Sequence, residues 1–142
     1  MEISLNWIAI ILITIVSFFF GAAWHGSFFF GKIWMRIHHG KDTFTDEEMK
    51  QAMQGMWKIM LTEFVATFFM IMTLDFLMKI VTGFSGMHIA FMIWLGFVLP
   101  TMTSTILWGN DAKKWMLTKI AISSSFRLLS LLGAGYILTI WK

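Results

Sequence analysis

Four long apolar stretches constrain the fold of this chain more than any other feature of its sequence. They occupy residues 3–24, 56–80, 87–108 and 115–141. An α-helix needs about 20 residues to cross a hydrocarbon core ~30 Å thick, so each stretch is long enough to span a membrane. Tryptophans stand at one or both ends of each stretch, as in the aromatic belts of membrane proteins: Trp7, Trp24, Trp57, Trp108, Trp115 and Trp141. We expect four transmembrane helices.

The composition excludes a soluble globular domain. Of the 142 residues, 58% are hydrophobic and 13% are charged, whereas soluble domains contain about 45–50% and 25%. One proline is too few for the many turns of a membrane β-barrel. The predicted fold class is an all-α integral membrane protein, a single domain over residues 1–142 with a four-helix transmembrane bundle. The chain has no cysteine, and its net charge of +3 without a dense basic cluster argues against a nucleic-acid partner.

The basic residues predict the orientation of the four spans. Eight of the eleven lie in or beside the first and third loops: Lys32, Arg36, Lys41, Lys50, Lys58, Lys113, Lys114 and Lys119. Lys79 and Lys142 lie at the opposite ends of the spans. Because cytoplasmic loops carry an excess of lysine and arginine, we expect these two loops in the cytoplasm and both termini outside. The first stretch lacks a basic start and is longer than a signal-peptide core, so we expect no cleavage.

The first loop, residues 25–55, carries a helix start. Thr45 and Glu48 have the spacing of a capping box. Methionines then recur on one helical face: Met49, Met53, Met56 and Met60. We therefore expect the second helix to begin near Asp46 in the cytoplasm and to continue into the membrane. The methionine face is interpreted as packing, because copper sites usually add cysteine or histidine.

A segment rich in glycine and aromatic residues precedes that loop. Glycines recur at positions 21, 26 and 31. Each costs up to ~1 kcal/mol inside a helix, so an interfacial turn or re-entrant segment is expected here. Its aromatic and basic groups would lie at the depth of the lipid headgroups: Trp24, His25, Gly31, Lys32 and Trp34.

Ionisable residues inside the predicted spans are the main functional candidates. A charge at the centre of a span costs about 2.5–3.5 kcal/mol or more and normally has a partner. Arg127 lies near the middle of the fourth span, and Glu63 and Asp75 lie in the second. Glu63 is the expected partner of Arg127, because Thr67 follows it one turn later on the same face. Asp75 is expected to pair with Lys79 at i+4.

Hydroxyl groups are expected to complete the Arg127 site. Ser123 and Ser130 share the helical face of Arg127, and Thr103 lies on the polar face of the third span. The predicted intramembrane cluster is Arg127, Glu63, Ser123, Ser130 and Thr103. The cluster is either a packing lock or part of a solute pathway.

In the third span, Pro100 clashes with the carbonyl of Gly96, so a kink is expected there.

The histidines give no metal site. His38 and His39 are adjacent in the first loop near Asp42, which is more typical of a solvated turn than of three or four fixed ligands. His88 is expected at the outer surface near Asn6 as a hydrogen-bonding group. We expect no cofactor and no metal.

Several runs of residues carry a family resemblance. They are Asn6-Trp7-Ile8-Ala9, Gly21 with Trp24-His25, Phe30-Gly31-Lys32-Ile33-Trp34-Met35, Trp94-Leu95-Gly96-Phe97-Val98-Leu99-Pro100, and Phe126-Arg127-Leu128-Leu129-Ser130 with Gly133. In this order they resemble the small bacterial membrane proteins called domain of unknown function 1761. The resemblance implies a four-helix domain in the bacterial inner membrane and carries over no catalytic residue. At the position of His25 the family more often has an aromatic residue such as tyrosine.

Two classes of function stay open. The first is a small-solute or ion channel or transporter that acts as a homo-oligomer, most simply a dimer. Small-residue pairs would give the close helix contacts: Ser17 with Gly21, and Ser130 with Ala134. The second class is a non-catalytic membrane scaffold or accessory subunit. We expect no enzyme, because the sequence has no G-x-S-x-G, H-E-x-x-H or phosphate-binding Gly-Lys-Ser/Thr pattern. The expected partner is the lipid bilayer, and the transported solute is unidentified.

Overall fold

The computed structural model describes residues 4–26, 28–41, 43–110 and 112–141, and within these ranges the chain is helical and without strands. The helices are α1 (Trp7–His25), α2 (Gly31–His39), α3 (Asp46–Met53), α4 (Met56–Ile80), α5 (Gly86–Leu107) and α6 (Met116–Ile140). Four of them, α1, α4, α5 and α6, are long and apolar enough to cross a membrane. This confirms the predicted all-α, four-span fold class. Ile3, where the first stretch was expected to begin, Asp42 and Lys142 lie outside the described residues.

A short amphipathic helix precedes the second span. The capping box forms as expected, since the Thr45 side chain accepts a hydrogen bond from the Glu48 backbone at 3.3 Å and Glu48 accepts one from the Thr45 backbone at 3.1 Å. Lys41 also donates to the Glu48 carboxylate at 2.6 Å. The hydrogen bond from Lys41, followed by that from the Thr45 backbone, lowers the pKa of Glu48.

The extension of the second span is interrupted rather than continuous. Helix α3 starts at Asp46 as expected but ends at Met53, and α4 starts at Met56. Between them Gly55 has a φ of 75°, a left-handed conformation that glycine adopts without a steric penalty. The break separates the methionine pairs of the two helices, so the four methionines do not form one continuous helical face.

The glycine-aromatic segment forms a tight turn between two helices. Helix α1 continues through Trp24 and His25, and the turn follows it. The backbone N–H of Gly31 donates to the carbonyl of Gly26 at 2.8 Å. A Cβ on Gly31 would lie 2.5 Å from that backbone, so only glycine fits. The turn is therefore shorter than the glycine-aromatic segment in which it was expected. Lys32 and Trp34 lie in α2, and the glycine content of the segment did not predict this helix.

Helix α5 contains a π-helical turn where a kink was expected. The turn covers Trp94–Val98, and the backbone N–H of Leu99 donates to the carbonyl of Trp94. Pro100 follows immediately, in the first turn of the α-helical continuation. Because Pro100 has no N–H and its ring crowds the carbonyl of Gly96, a wider turn at this place relieves the conflict.

The hydrophobic core fills one half of the bundle. It is built from the first half of α1, the second half of α4, the start of α5 and the second half of α6. Its buried members are Ala9, Ile10, Ile13, Ile71, Leu74, Ile89, Ala90, Leu131, Ala134 and Leu138. We call this the apolar half. In it α5 and α6 approach so closely that a Cβ on Gly135 would lie 2.5 Å from the carbonyl oxygen of Gly86.

The small-residue pairs pack helices within one chain. Ser17, Ser130 and Ala134 are buried inside the bundle. A Cβ on Gly21 would lie 2.7 Å from the ring of Phe126 on α6. These residues are therefore occupied by intramolecular contacts, and the expected dimer stays a prediction that needs a different surface.

Candidate functional site

An ion pair between α4 and α6 forms the centre of the site. Arg127 Nη2 donates to Glu63 Oε1 at 2.6 Å. Arg127 Nη1 lies 3.4 Å from Thr67 Oγ1, which in turn lies 3.5 Å from Glu63 Oε1. The structure thus brings together the arginine, the carboxylate and the threonine one turn further along α4.

A cavity of about 380 Å³ borders this ion pair. Its polar lining comes from Glu63, Arg127, Ser123 and His25, and the rest of its wall is mostly apolar. The pair is not sealed between helices, because 43% of the Glu63 side chain and 19% of the Arg127 side chain are exposed. Thr67 beside them is only 1% exposed.

All residues that line the cavity lie in the half of the bundle opposite the apolar half. They come from the second half of α1, from α2, from the first half of α4, from the second half of α5 and from the first half of α6. The apolar wall includes Phe18, Trp34, Met60 and Met102. The cavity therefore lies at the end of the bundle that carries α2, and we call this the α2 end.

Two of the expected hydroxyl residues do not line the cavity. Ser130 is buried beyond it, and its Oγ has no hydrogen-bond partner among the described residues. Thr103 is half-buried on α5, and Met102 lines the cavity instead. A π turn holds more residues than an α turn, so residues after Val98 are rotated away from the face that uninterrupted α-helical spacing predicts.

Helices α1 and α2 contribute aromatic groups to the site on either side of the turn that joins them. His25 Nδ1 lies 3.0 Å from the carbonyl oxygen of Gly21, which can only accept, so Nδ1 carries the proton. The His25 ring packs edge-on against Trp34 at 4.5 Å between centroids and against Phe126 at 5.4 Å. The sequence placed His25 and Trp34 at the membrane interface without connecting them to Arg127. The aromatic residues that recur near His25 could have indicated this contact. It was missed because α2, the helix that carries Trp34 to the cavity, was not predicted.

Two tryptophans donate hydrogen bonds to the backbone of α6 just before Arg127. Trp24 Nε1 donates to the carbonyl oxygen of Ile122 at 3.0 Å. Trp94 Nε1 donates to the carbonyl oxygen of Ser124 at 2.8 Å. These bonds from α1 and from the π turn of α5 hold the segment of α6 that carries Ser123 and Arg127.

The second predicted pair lies at the opposite end of the bundle. Lys79 Nζ donates to Asp75 Oδ2 at 2.7 Å, and the buried Asp75 also accepts from the backbone N–H of Asn6 at 3.1 Å. Lys79 donates to the Ser4 carbonyl as well. The Asn6 side chain caps α1 through Ala9 and donates to the carbonyl of Trp141 at 2.9 Å. This cluster fastens both ends of the described chain to α4.

The remaining histidines lie away from the cavity. The His38 ring packs at a tilt against Trp34 at 4.6 Å between ring centroids, and His39 packs against Phe44. His88 pairs with the side chain of Ser85 at 2.7 Å rather than with Asn6. In the part of the chain that the structure describes, no three histidine or acidic side chains come together as a metal site.

Fold and site together define an all-helical protein with four membrane-length helices and an ion pair that borders a cavity. The chain belongs to the family described as proteins of unknown function, DUF1761, whose model matches residues 8–139. This confirms the resemblance seen in the sequence motifs. Comparison with curated proteins and with solved structures finds no match.

Proposed function

We propose that the protein transports a small solute across a membrane and that the cavity beside Arg127 and Glu63 is its binding site. The observation that carries the proposal is the exposure of this ion pair at membrane depth. Glu63 lies seven residues into α4 and Arg127 eleven residues into α6, about 10 Å and 16 Å from the helix starts. A pair that served only to lock the helices would be expected to lie sealed between them.

The closed apolar half favours a transporter over an open channel. Beyond the cavity the bundle is filled by buried aliphatic side chains and by the close approach of Gly86 and Gly135. The described core residues of this half are aliphatic, and such a lining disfavours a polar solute. A solute that enters at the α2 end would therefore cross only if the apolar half rearranged, as in alternating access.

A homo-oligomer, most simply a two-fold dimer, is part of the proposal. Four helices enclose little interior, and many large apolar side chains of α4 and α5 are exposed on the single chain. Those exposed faces are available to lipid or to a second copy. Mass measurement in mild detergent and in lipid nanodiscs tests this part, and a strictly monomeric mass in both contradicts it.

A flux experiment tests transport. Proteoliposomes with wild-type protein are given four labelled probes in turn: glycine, glucose, benzenesulfonate and benzyltrimethylammonium. We expect at least one probe to enter faster than into empty liposomes, and Arg127→Gln to lower that rate. The control Lys113→Gln removes a positive charge outside the cavity and should leave the rate unchanged. Entry of all four probes at the rate of empty liposomes would contradict the proposal.

A membrane scaffold is the second candidate, and the exposed methionine face of α3 favours it. Met49 and Met53 are exposed on α3, a helix without buried residues, and methionine suits adaptable protein contacts. Under this alternative, replacing both methionines with glutamine removes a co-purifying membrane protein, whereas Arg127→Gln does not. Absence of any partner that depends on these two methionines counts against a scaffold.

A further inference from the structure

Glu63, which lines the cavity, has one carboxylate oxygen that is not used by any hydrogen bond with the described part of the chain. Glu63 Oε1 accepts from both Arg127 and Thr67, but Oε2 accepts no hydrogen bond from any described residue. The carboxylate side chain is also the more exposed member of the ion pair, 43% against 19% for Arg127. Both members of the pair line the cavity, and Glu63 offers more accessible surface than Arg127.

The guanidinium is engaged on several sides. Its two terminal nitrogens are directed at Glu63 and Thr67, and its carbon lies 5.3 Å from the centroid of the Phe126 ring. An anion would have to displace Glu63 from Arg127 to obtain a bidentate contact, and would then leave a carboxylate without its partner at membrane depth. This arrangement disfavours anions.

The rest of the wall suits a cation with its own apolar surface. Phe18, Trp34 and His25 bring aromatic rings to the cavity. A mostly apolar wall cannot replace the water lost by a small inorganic ion. An organic cation loses less hydration, and it is attracted to the faces of tryptophan and phenylalanine. When the His25 ring is neutral, donation from Nδ1 to Gly21 leaves Nε2 as a further acceptor.

We propose that the site takes an amphipathic organic cation, with the charge at Glu63 and the apolar part against Trp34 and Phe18. This inference rests on the proposed function, because it assigns a solute class to the same cavity. A volume of about 380 Å³ accommodates a molecule with one aromatic ring and a small quaternary ammonium group.

Binding to the full chain in zwitterionic lipid nanodiscs tests the inference. Three probes of similar size are compared by calorimetry against empty nanodiscs: benzyltrimethylammonium, its neutral carbon isostere neopentylbenzene, and benzenesulfonate. We expect the cation to bind about tenfold more tightly than either of the others. Trp34→Leu should weaken cation binding by about three- to tenfold, as expected for loss of a cation–π contact.

Variants of the ion pair separate charge from folding. Glu63→Gln should lower affinity for the cation at least about tenfold, and the matched control Glu47→Gln, on α3, should not. Because Glu63→Gln leaves Arg127 without a carboxylate, the double variant Glu63→Gln/Arg127→Gln is also measured. It carries no charge at the pair and should likewise lose the cation.

The outcomes also separate this inference from the transport proposal. Equal affinity for the cation and its neutral isostere overturns the inference. Tighter binding of benzenesulfonate, lost in Arg127→Gln, overturns it too but leaves a solute site in place. If no probe binds while another solute crosses in the flux experiment, the cation assignment fails and transport stands. Selective cation binding without any flux supports the inference and contradicts transport.

Discussion

At the scale of single residues, the requirement that a charge in a membrane has a partner determines most of the site. Arg127 had few candidate partners of opposite sign, and helical spacing favoured Glu63 because Thr67 lies one turn away. The structure places all three within 3.5 Å of one another. Thr103 was misplaced because the π turn changes the rotation of α5 ahead of it. The pairing of opposite charges is an electrostatic requirement, so that prediction holds despite a local irregularity in a helix. A prediction that extends one helical face along a whole span fails where the helix contains a π turn.

The ion pair should be energetically coupled. We expect Arg127→Gln and Glu63→Gln each to lower the free energy of unfolding, and the double variant to cost less than the sum of the two. The expected coupling energy is about 1 kcal/mol, within the range for residues in direct contact. Denaturation in mixed micelles measures it. Glu47→Gln combined with Arg127→Gln is the control and should be additive. Additivity of the Glu63 and Arg127 variants would show that the contact contributes nothing to stability.

At the scale of secondary-structure elements, length and apolar content predicted the spans but not the breaks and short helices. The capping box predicted the start of α3. The break before α4 was not predicted, because nothing in the sequence distinguished Gly55 as a residue with a left-handed backbone conformation. Helix α2 was missed because glycine content argued for a turn over a whole segment. In the structure, close backbone contact between Gly26 and Gly31 compresses the turn and leaves room for a helix.

Two glycines on α6 offer a test of the α5–α6 contact. A Cβ on Gly135 would lie 2.5 Å from the backbone of Gly86, whereas a Cβ on Gly133 meets nothing within 4 Å. We expect Gly135→Ala to lower the free energy of unfolding by about 1–3 kcal/mol, as for overpacking in a core. Gly133→Ala is the matched control and should be neutral or slightly stabilising, because alanine is the better helix former. Equal effects of the two substitutions would contradict the tight contact.

At the scale of the whole molecule, the bundle divides into an apolar half and a half with a cavity. Asn6, Trp141, Asp75 and the α4–α5 connection lie at the apolar end, and the site with α2 lies at the other. The charge distribution predicts that the α2 end faces the cytoplasm, so a solute would first meet the cavity from that side. Orientation is therefore linked to the direction from which the proposed site is loaded.

Single cysteines test the orientation, because the natural chain has none. We expect Lys50→Cys and Lys114→Cys to react with a membrane-impermeant maleimide only after cells are opened. Thr82→Cys, in the connection between α4 and α5, should react in intact cells. All three side chains are exposed. Gel shift of the labelled protein is the readout, and the cysteine-free chain is the control. Labelling of Lys114→Cys in intact cells would reverse the orientation.

The sequence by itself determined the number of spans, the helical class and the partner of Arg127. The spans follow from the length of each apolar stretch, and the partner of Arg127 follows from the cost of an unpaired charge. Each depends on one stretch of the chain or on a few residues. Only the tertiary structure decided that the pair borders a cavity, that His25 and Trp34 contribute to its wall, and that the small-residue pairs are used within one chain. Cavities and close contacts depend on how several helices pack together. The π turn and the α1–α2 turn change which residues face the neighbouring helices, and regular helical spacing does not predict these changes.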